Sequence, residues 1–349
     1  MKRTIGIAAL ALAALMLPVP TAPATERLYS SGIYPHLQAL LTGISNHVGI
    51  AFLDLLMVAA LVSWSVFALD DFRRCRVRGL IPIVRRTVEW LALGYLVFLA
   101  CWGLNYRREP VTTKVGIDTA NVTAATARAL ALQIVERLNA LAADAHRMGW
   151  HETSDIDPDL AAALERTMTS LGYAAPVVAR PKRTILDMYF RRVGVDGMTD
   201  PYFLETFVVS DLLPFERPMV IAHEWSHLAG IANEGEANFA GWLTAIHGSA
   251  ADEYSGWLFL YGELGIPVAT LNPQSRQDLT AIRMRIAHNV APRVSAVAWQ
   301  AYDSYLKSNR VTAGAASYRE VVQLVLGARF DAHWNPVIAS SGTSRASPR

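Results

Sequence analysis

The sequence predicts an α+β fold: a mostly helical domain with a small sheet, preceded by N-terminal transmembrane helices. Three observations carry this. Only 18% of the 349 residues are charged and 52% are hydrophobic, with a mean hydropathy of +0.23, whereas ordinary soluble domains carry about 25% charged residues. The apolar excess collects in three runs within the first 105 residues. Beyond them the chain falls mostly into helical spacings, with one strong strand candidate. This composition excludes a disordered or collagen-like chain. Two cysteines, Cys75 and Cys101, exclude a disulfide framework and a Cys-rich zinc site. The net charge of +2 excludes no class by itself.

The first run, Ile5 to Leu17, follows Met1-Lys2-Arg3. It is shorter than the roughly 20 residues a bilayer core needs. With the small residues Ala22-Pro23-Ala24 behind it, residues 1–24 read as a signal peptide or as a first anchor. Residues 25–105 form a membrane region with two spans. One covers residues 48–69 and carries only Asp54, near its outer end; the other covers 88–104, with Trp90 and Trp102 near its ends at headgroup depth. Between them, the loop 70–87 and its flanks hold Arg73, Arg74, Arg76, Arg78, Arg85 and Arg86. Short loops rich in arginine stay in the cytoplasm. Beside two spans these arginines read as a topology signal and not as a nucleic-acid patch. Residues 106–338 are then an extracytoplasmic domain, and 339–349, ASSGTSRASPR, a disordered tail.

Within that domain, Asn121 to Trp150 reads as a long helix, for which Asp118, Thr119 and Asn121 are all acceptable N-caps. Asp157 to Leu171 is a second helix opened by Asp157-Pro158. Thr184 to Met198, broken by Gly194 and Gly197, suits strands and turns, and Leu204 to Ser210 is the best strand. Helices follow over Ala237–His247, Tyr254–Leu264, Gln277–Asn289, Val294–Lys307 and Ala316–Leu326. Tyr254–Leu264 is too short to span and carries Glu263, so it reads as a buried core helix.

The chemistry concentrates in His223-Glu224-Trp225-Ser226-His227, an HExxH pattern. On a helix, residues four apart share a face, so the two imidazoles can converge on one Zn²⁺. Glu224 is placed to act as general base toward a water on that metal. Pro218 suits the first turn of this helix and Gly230 the residue past its end. Asn233 with Glu236 three residues later then makes a capping-box-like start for the next helix. That leaves Glu234 in the first turn as third ligand, giving the His₂Glu set of a catalytic zinc site. Asn238, four residues on, is placed to orient a ligand imidazole.

Glu234-Gly235-Glu236-Ala237-Asn238 resembles the ExxA(D) element of gluzincin metallopeptidases, with Asn where many gluzincins carry Asp. Over nearly its whole length the chain also resembles an uncharacterised bacterial membrane family with a gluzincin motif. The matching pieces are Tyr29 to Pro35, Trp102 to Arg108, the HExxH-to-EANF block, and Tyr302 to Lys307. The resemblance implies a zincin-like metallopeptidase domain on the outer face of a bacterial inner membrane, held there by a multi-pass anchor. It also implies that the strand before the active-site helix lines the cleft and pairs with an extended peptide, although Leu204 to Ser210 reads equally well as an internal strand.

The expected function is therefore hydrolysis of peptide bonds in a protein or peptide substrate, with the lipid bilayer as the other partner and no nucleic acid. An oxyanion donor is also needed, and Tyr302, Tyr305, Tyr318 and His288 all come from later helices. The alternative is a non-hydrolytic zinc-binding membrane sensor or scaffold on the same fold, which would have no use for Glu224. An intramembrane protease is excluded because only about six apolar residues precede Glu224, far short of a span. Oligomeric state is open.

Overall fold

The computed structural model describes residues 21–75, 80–151, 154–265 and 270–338, together with Thr4 and Ile7. The first apolar run and the tail 339–349 therefore lie outside the described residues, apart from those two positions.

The chain begins with a π-helical stretch, Thr25–Ile33, that runs into α1 (Tyr34–Asn46). Two long helices follow, α2 (Phe52–Cys75) and α3 (Leu80–Cys101). Residues Phe52–Arg74 are long and apolar enough to cross a membrane, and only 6% of their most apolar stretch is buried. α3 begins earlier than the apolar run and so takes in Arg85 and Arg86. The pair is tied at its loop end: Arg86 meets Asp71 at 2.7 Å and its guanidinium lies over Phe67, while Trp64 donates to Thr87 at 2.9 Å.

The helical domain comprises α4 (Val111–Val115), α5 (Ala124–Met148), α6 (Pro158–Ser170), α7 (Asp187–Val193), α8 (Arg217–Leu228), α9 (Glu234–Ile246), α10 (Ala250–Leu264), α11 (Pro273–Asn289), α12 (Pro292–Ser308) and α13 (Glu320–Gly327). α5 starts later than the sequence suggests, because Thr123 and Thr126 form a reciprocal cap and Asp118 instead caps a 3₁₀ turn. α6 is opened by Asp157, whose carboxylate accepts from Asp159 N and Leu160 N. α10 is a core helix as expected, with Tyr254, Trp257 and Leu260 fully buried.

The segment Thr184 to Met198 departs from the sequence reading. It holds the short helix α7, ended by Gly194 in the left-handed region, and only its last residues join the sheet. That sheet has three strands, β1 (Pro181–Lys182), β2 (Gly197–Thr199) and β3 (Thr206–Val208), in the order β1-β3-β2. β1 pairs parallel with β3, and β2 pairs antiparallel with it. The expected strand is thus internal, with both edges occupied, and β1 and β2 are the edge strands.

One hydrophobic core takes in Tyr29, Tyr34, Phe98, Leu99 and Trp102 along with the helical domain. The domain therefore extends into residues assigned from sequence to the membrane region. A buried ion pair fixes the sheet to the turn between α1 and α2. Lys182 Nζ lies 2.8 Å from Glu205, their side chains 3% and 0% exposed. Ser45 Oγ and Leu53 N also donate to Glu205, and Lys182 donates to Ser45 O. Removing one member of such a pair strands the other without a partner. Lys182→Met is expected to destabilise the full-length protein by about 3–5 kcal/mol in chemical denaturation, with most of the loss recovered when Glu205→Leu is added.

Candidate metal centre

α8 and α9 pack at close contact, and both help to line the cavity that holds the HExxH side chains. α8 carries His223, Glu224 and His227 on adjacent turns; α9 begins at Glu234, with the Asn233 side chain accepting from Glu236 N at 3.0 Å. Gly241 makes the approach possible: a Cβ there would stand 2.8 Å from the backbone nitrogen of His223 and 2.9 Å from its Cα.

Three donor atoms converge. His223 Nε2 and His227 Nε2 are 3.1 Å apart, and Glu234 Oε2 lies 3.2 Å from the His227 nitrogen and 3.3 Å from that of His223. A tetrahedral ion with bonds of about 2.0–2.1 Å holds its donors about 3.3 Å apart, so the triangle fits zinc. His227 Nδ1 donates to Ile231 O at 2.7 Å, which leaves its Nε2 free as a ligand atom. Among the described residues these three are the group able to hold a metal ion. Burial works against the imidazolium of His227, but Glu234 beside it outweighs this and raises its pKa to about 9. Burial likewise opposes the charge on Glu234, yet the two histidines hold its carboxyl well below the usual range. The positive charge these directions favour is the proton of His227, which a bound metal would have to replace.

Glu224 is buried and lines the same cavity as the triangle. Thr199 Oγ1, on β2, lies 2.8 Å from its Oε2. Burial raises its pKa, with His223, His227 and the Thr199 hydroxyl opposing the rise. The second oxygen of Glu234 receives the hydroxyl of Tyr302. Tyr318 also hydrogen-bonds Glu234 and Tyr302, and its ring stacks on His223 at 6.4 Å. Tyr302, Tyr305 and Tyr318 line a cavity of about 390 Å³ around the triangle; His288 does not.

Asn238 sits elsewhere than the sequence suggests. Its amide donates to Tyr318 O at 3.3 Å, so it holds the segment that carries Tyr318, and the imidazole of His227 is oriented by the Ile231 carbonyl. A backbone acceptor leaves no trace in residue identities, which is why sequence offered the side chain.

The last carbonyls of α8 have an unusual set of partners. Trp102 Nε1 donates to His227 O at 3.0 Å, Tyr34 Oη to Leu228 O at 2.9 Å and Arg108 Nη1 to Ala229 O at 2.9 Å. Tyr34 and Trp102 come from outside the helical domain as sequence drew it, and Arg108 from its first residues. Trp102, expected at headgroup depth, is buried instead, edge-on to the His227 ring at 6.1 Å. Gly230, at φ +83°, completes the helix end, and a Cβ there would meet Arg108 and Asn105.

The model of a family described as a protein of unknown function, DUF3810, matches residues 29–326. No curated protein and no solved structure matches the chain. Because backbone cannot yield as a side-chain tip does, Gly241→Ala is expected to cost about 1–3 kcal/mol of stability. The same change should lower zinc content measured by elemental analysis of the full-length protein.

Proposed function

The chain belongs to the DUF3810 family, and from that premise we propose that it is a membrane-anchored zinc metallopeptidase of the gluzincin type, hydrolysing peptide bonds in a protein or peptide. The observation that carries this reading is the 3.1–3.3 Å triangle of His223, His227 and Glu234 with Glu224 beside it. A binding-only site needs the triangle but has no use for a buried carboxylate facing the same cavity.

His223, His227 and Glu234 would hold the ion. When bound, zinc supplies Lewis acidity, polarising a carbonyl and acidifying a water. The chain's own residues do the rest. Glu224, whose pKa burial raises, takes the water's proton at its carboxylate and delivers it to the leaving amine. Thr199 fixes which oxygen of Glu224 is free for this transfer. Tyr302 holds the outer oxygen of Glu234, so the ligand carboxylate keeps one oxygen on the triangle. Tyr318, stacked beside His223, is the donor best placed for the oxyanion. The free edge of β2, whose Gly197, Met198 and Thr199 line the cavity, offers backbone groups to an extended peptide. The anchor is read as α2 and α3 crossing the inner membrane, with the arginine-bearing loop inside and the metal centre outside.

Full-length protein assayed for zinc, and for cleavage of an unstructured peptide library by mass spectrometry, tests this. Glu224→Gln should keep about one zinc per chain and lose activity by about 10²–10⁴-fold. His227→Ala and Glu234→Ala should lose both. Zinc retained in Glu234→Ala would overturn the ligand set, and cleavage by Glu224→Gln at the wild-type rate would overturn the mechanism. Tyr318→Phe should keep zinc and lower kcat by about 10²–10³-fold with little change in KM.

A further inference from the structure

Two exposed apolar lips each place one residue in the cavity wall, Tyr189 and Tyr305, and each is fastened to a long apolar helix. The first lip is Ile185, Met188 and Tyr189, at and just before the start of α7; Met188 is 73% exposed. It is tied to the first turn of α2, where Asp54 accepts from Thr184 Oγ1 at 2.6 Å and from Ile185 N at 3.0 Å. The second lip is a stripe on α12. Val294, Val297 and Tyr305 fall on one side of that helix, and Val297 is 69% exposed. Its 17 residues bury only Leu306. The stripe ends on α3, where the Tyr305 and Phe98 rings stand 6.2 Å apart. Between the lips the cavity walls are Tyr189, Phe190 and Val193 on one side and Ala298, Trp299 and Tyr302 on the other.

An amphipathic helix with an unpartnered apolar face suits the headgroup–acyl boundary of a bilayer. α2, to which the first lip is tied, also exposes apolar side chains, Leu55, Val58 and Val62 among them. Arg183 and Arg192 are exposed on either side of the first lip, where basic side chains meet lipid phosphates.

We propose that Ile185, Met188 and Tyr189, with Val294, Val297 and Tyr305, seat in the outer leaflet of the bilayer that α2 crosses, so that the metal-site cavity opens at the lipid surface. This deepens the reading above and rests on its membrane-spanning assignment of α2.

The test uses full-length protein, with both native cysteines changed to serine, in vesicles of phosphatidylcholine and phosphatidylglycerol. Single cysteines at Met188→Cys and Val297→Cys carry a bimane label, beside Val58→Cys on α2 and Leu132→Cys on the exposed side of α5. Replacing the phosphatidylcholine by its brominated form should quench the label at 188 and 297 at least twofold, as at 58, and leave 132 unchanged. Quenching at 58 with none at 188 or at 297 would overturn the lip assignment alone. No quenching at 58 would overturn the spanning reading of α2, and this inference with it.

Discussion

The end of α8 is the constraint on which the rest of the molecule depends. A helix leaves its last carbonyls without intrahelical partners, and here that end is buried beside two metal-ligand candidates. Gly230 and Ile231 turn the chain back and supply some of the missing bonds. Trp102, Tyr34 and Arg108 supply others from the segments that bracket α2 and α3. Satisfying those carbonyls therefore couples three things: the pose of His227, the start of α9 with Glu234, and the position of the apolar hairpin. The placement of Tyr29 and Phe98 in the central core follows from the same demand.

Within the site, the tyrosines divide the work around one carboxylate. Glu234 presents one oxygen to the imidazoles and gives the other to Tyr302. Such support from outside the ligand set orients a ligand and raises its affinity for metal. The segment bearing Tyr318 is in turn held by Asn238 from α9. α9 and the segment bearing Tyr318 thus converge on Glu234.

What sequence made legible was local. The four-residue spacing of His223 and His227, the Gly230 turn and the Asn233 cap all act within a helix or across one turn, so residue identity alone determines them. The α6 and α10 helices were legible for the same reason. Long-range partners were not. Trp102 at the end of an apolar run looks the same whether its indole faces headgroups or a helix end, because only the acceptor differs. Ile231 orients His227 through its carbonyl, which any residue carries. The segment Thr184 to Met198 has residues suited to strands, yet Phe190 and Val193 fall three apart and bury together as a helix. β3 proved central because β1, only two residues long, is too short for any pattern to announce.

The contact at Gly241 has a consequence for which ions the triangle can prefer. With backbone already against backbone, α8 and α9 stand as near as helices can, and every side chain at that position only drives them apart. The gap between the ligand helices is at its lower limit and can open but not shrink. Calcium, whose bonds of about 2.3–2.6 Å and six to eight ligands call for a wider cage, would have to separate two helices packed over their length. Glycine at one position in α9 thereby sets how closely the two helices that carry the three donor atoms can approach.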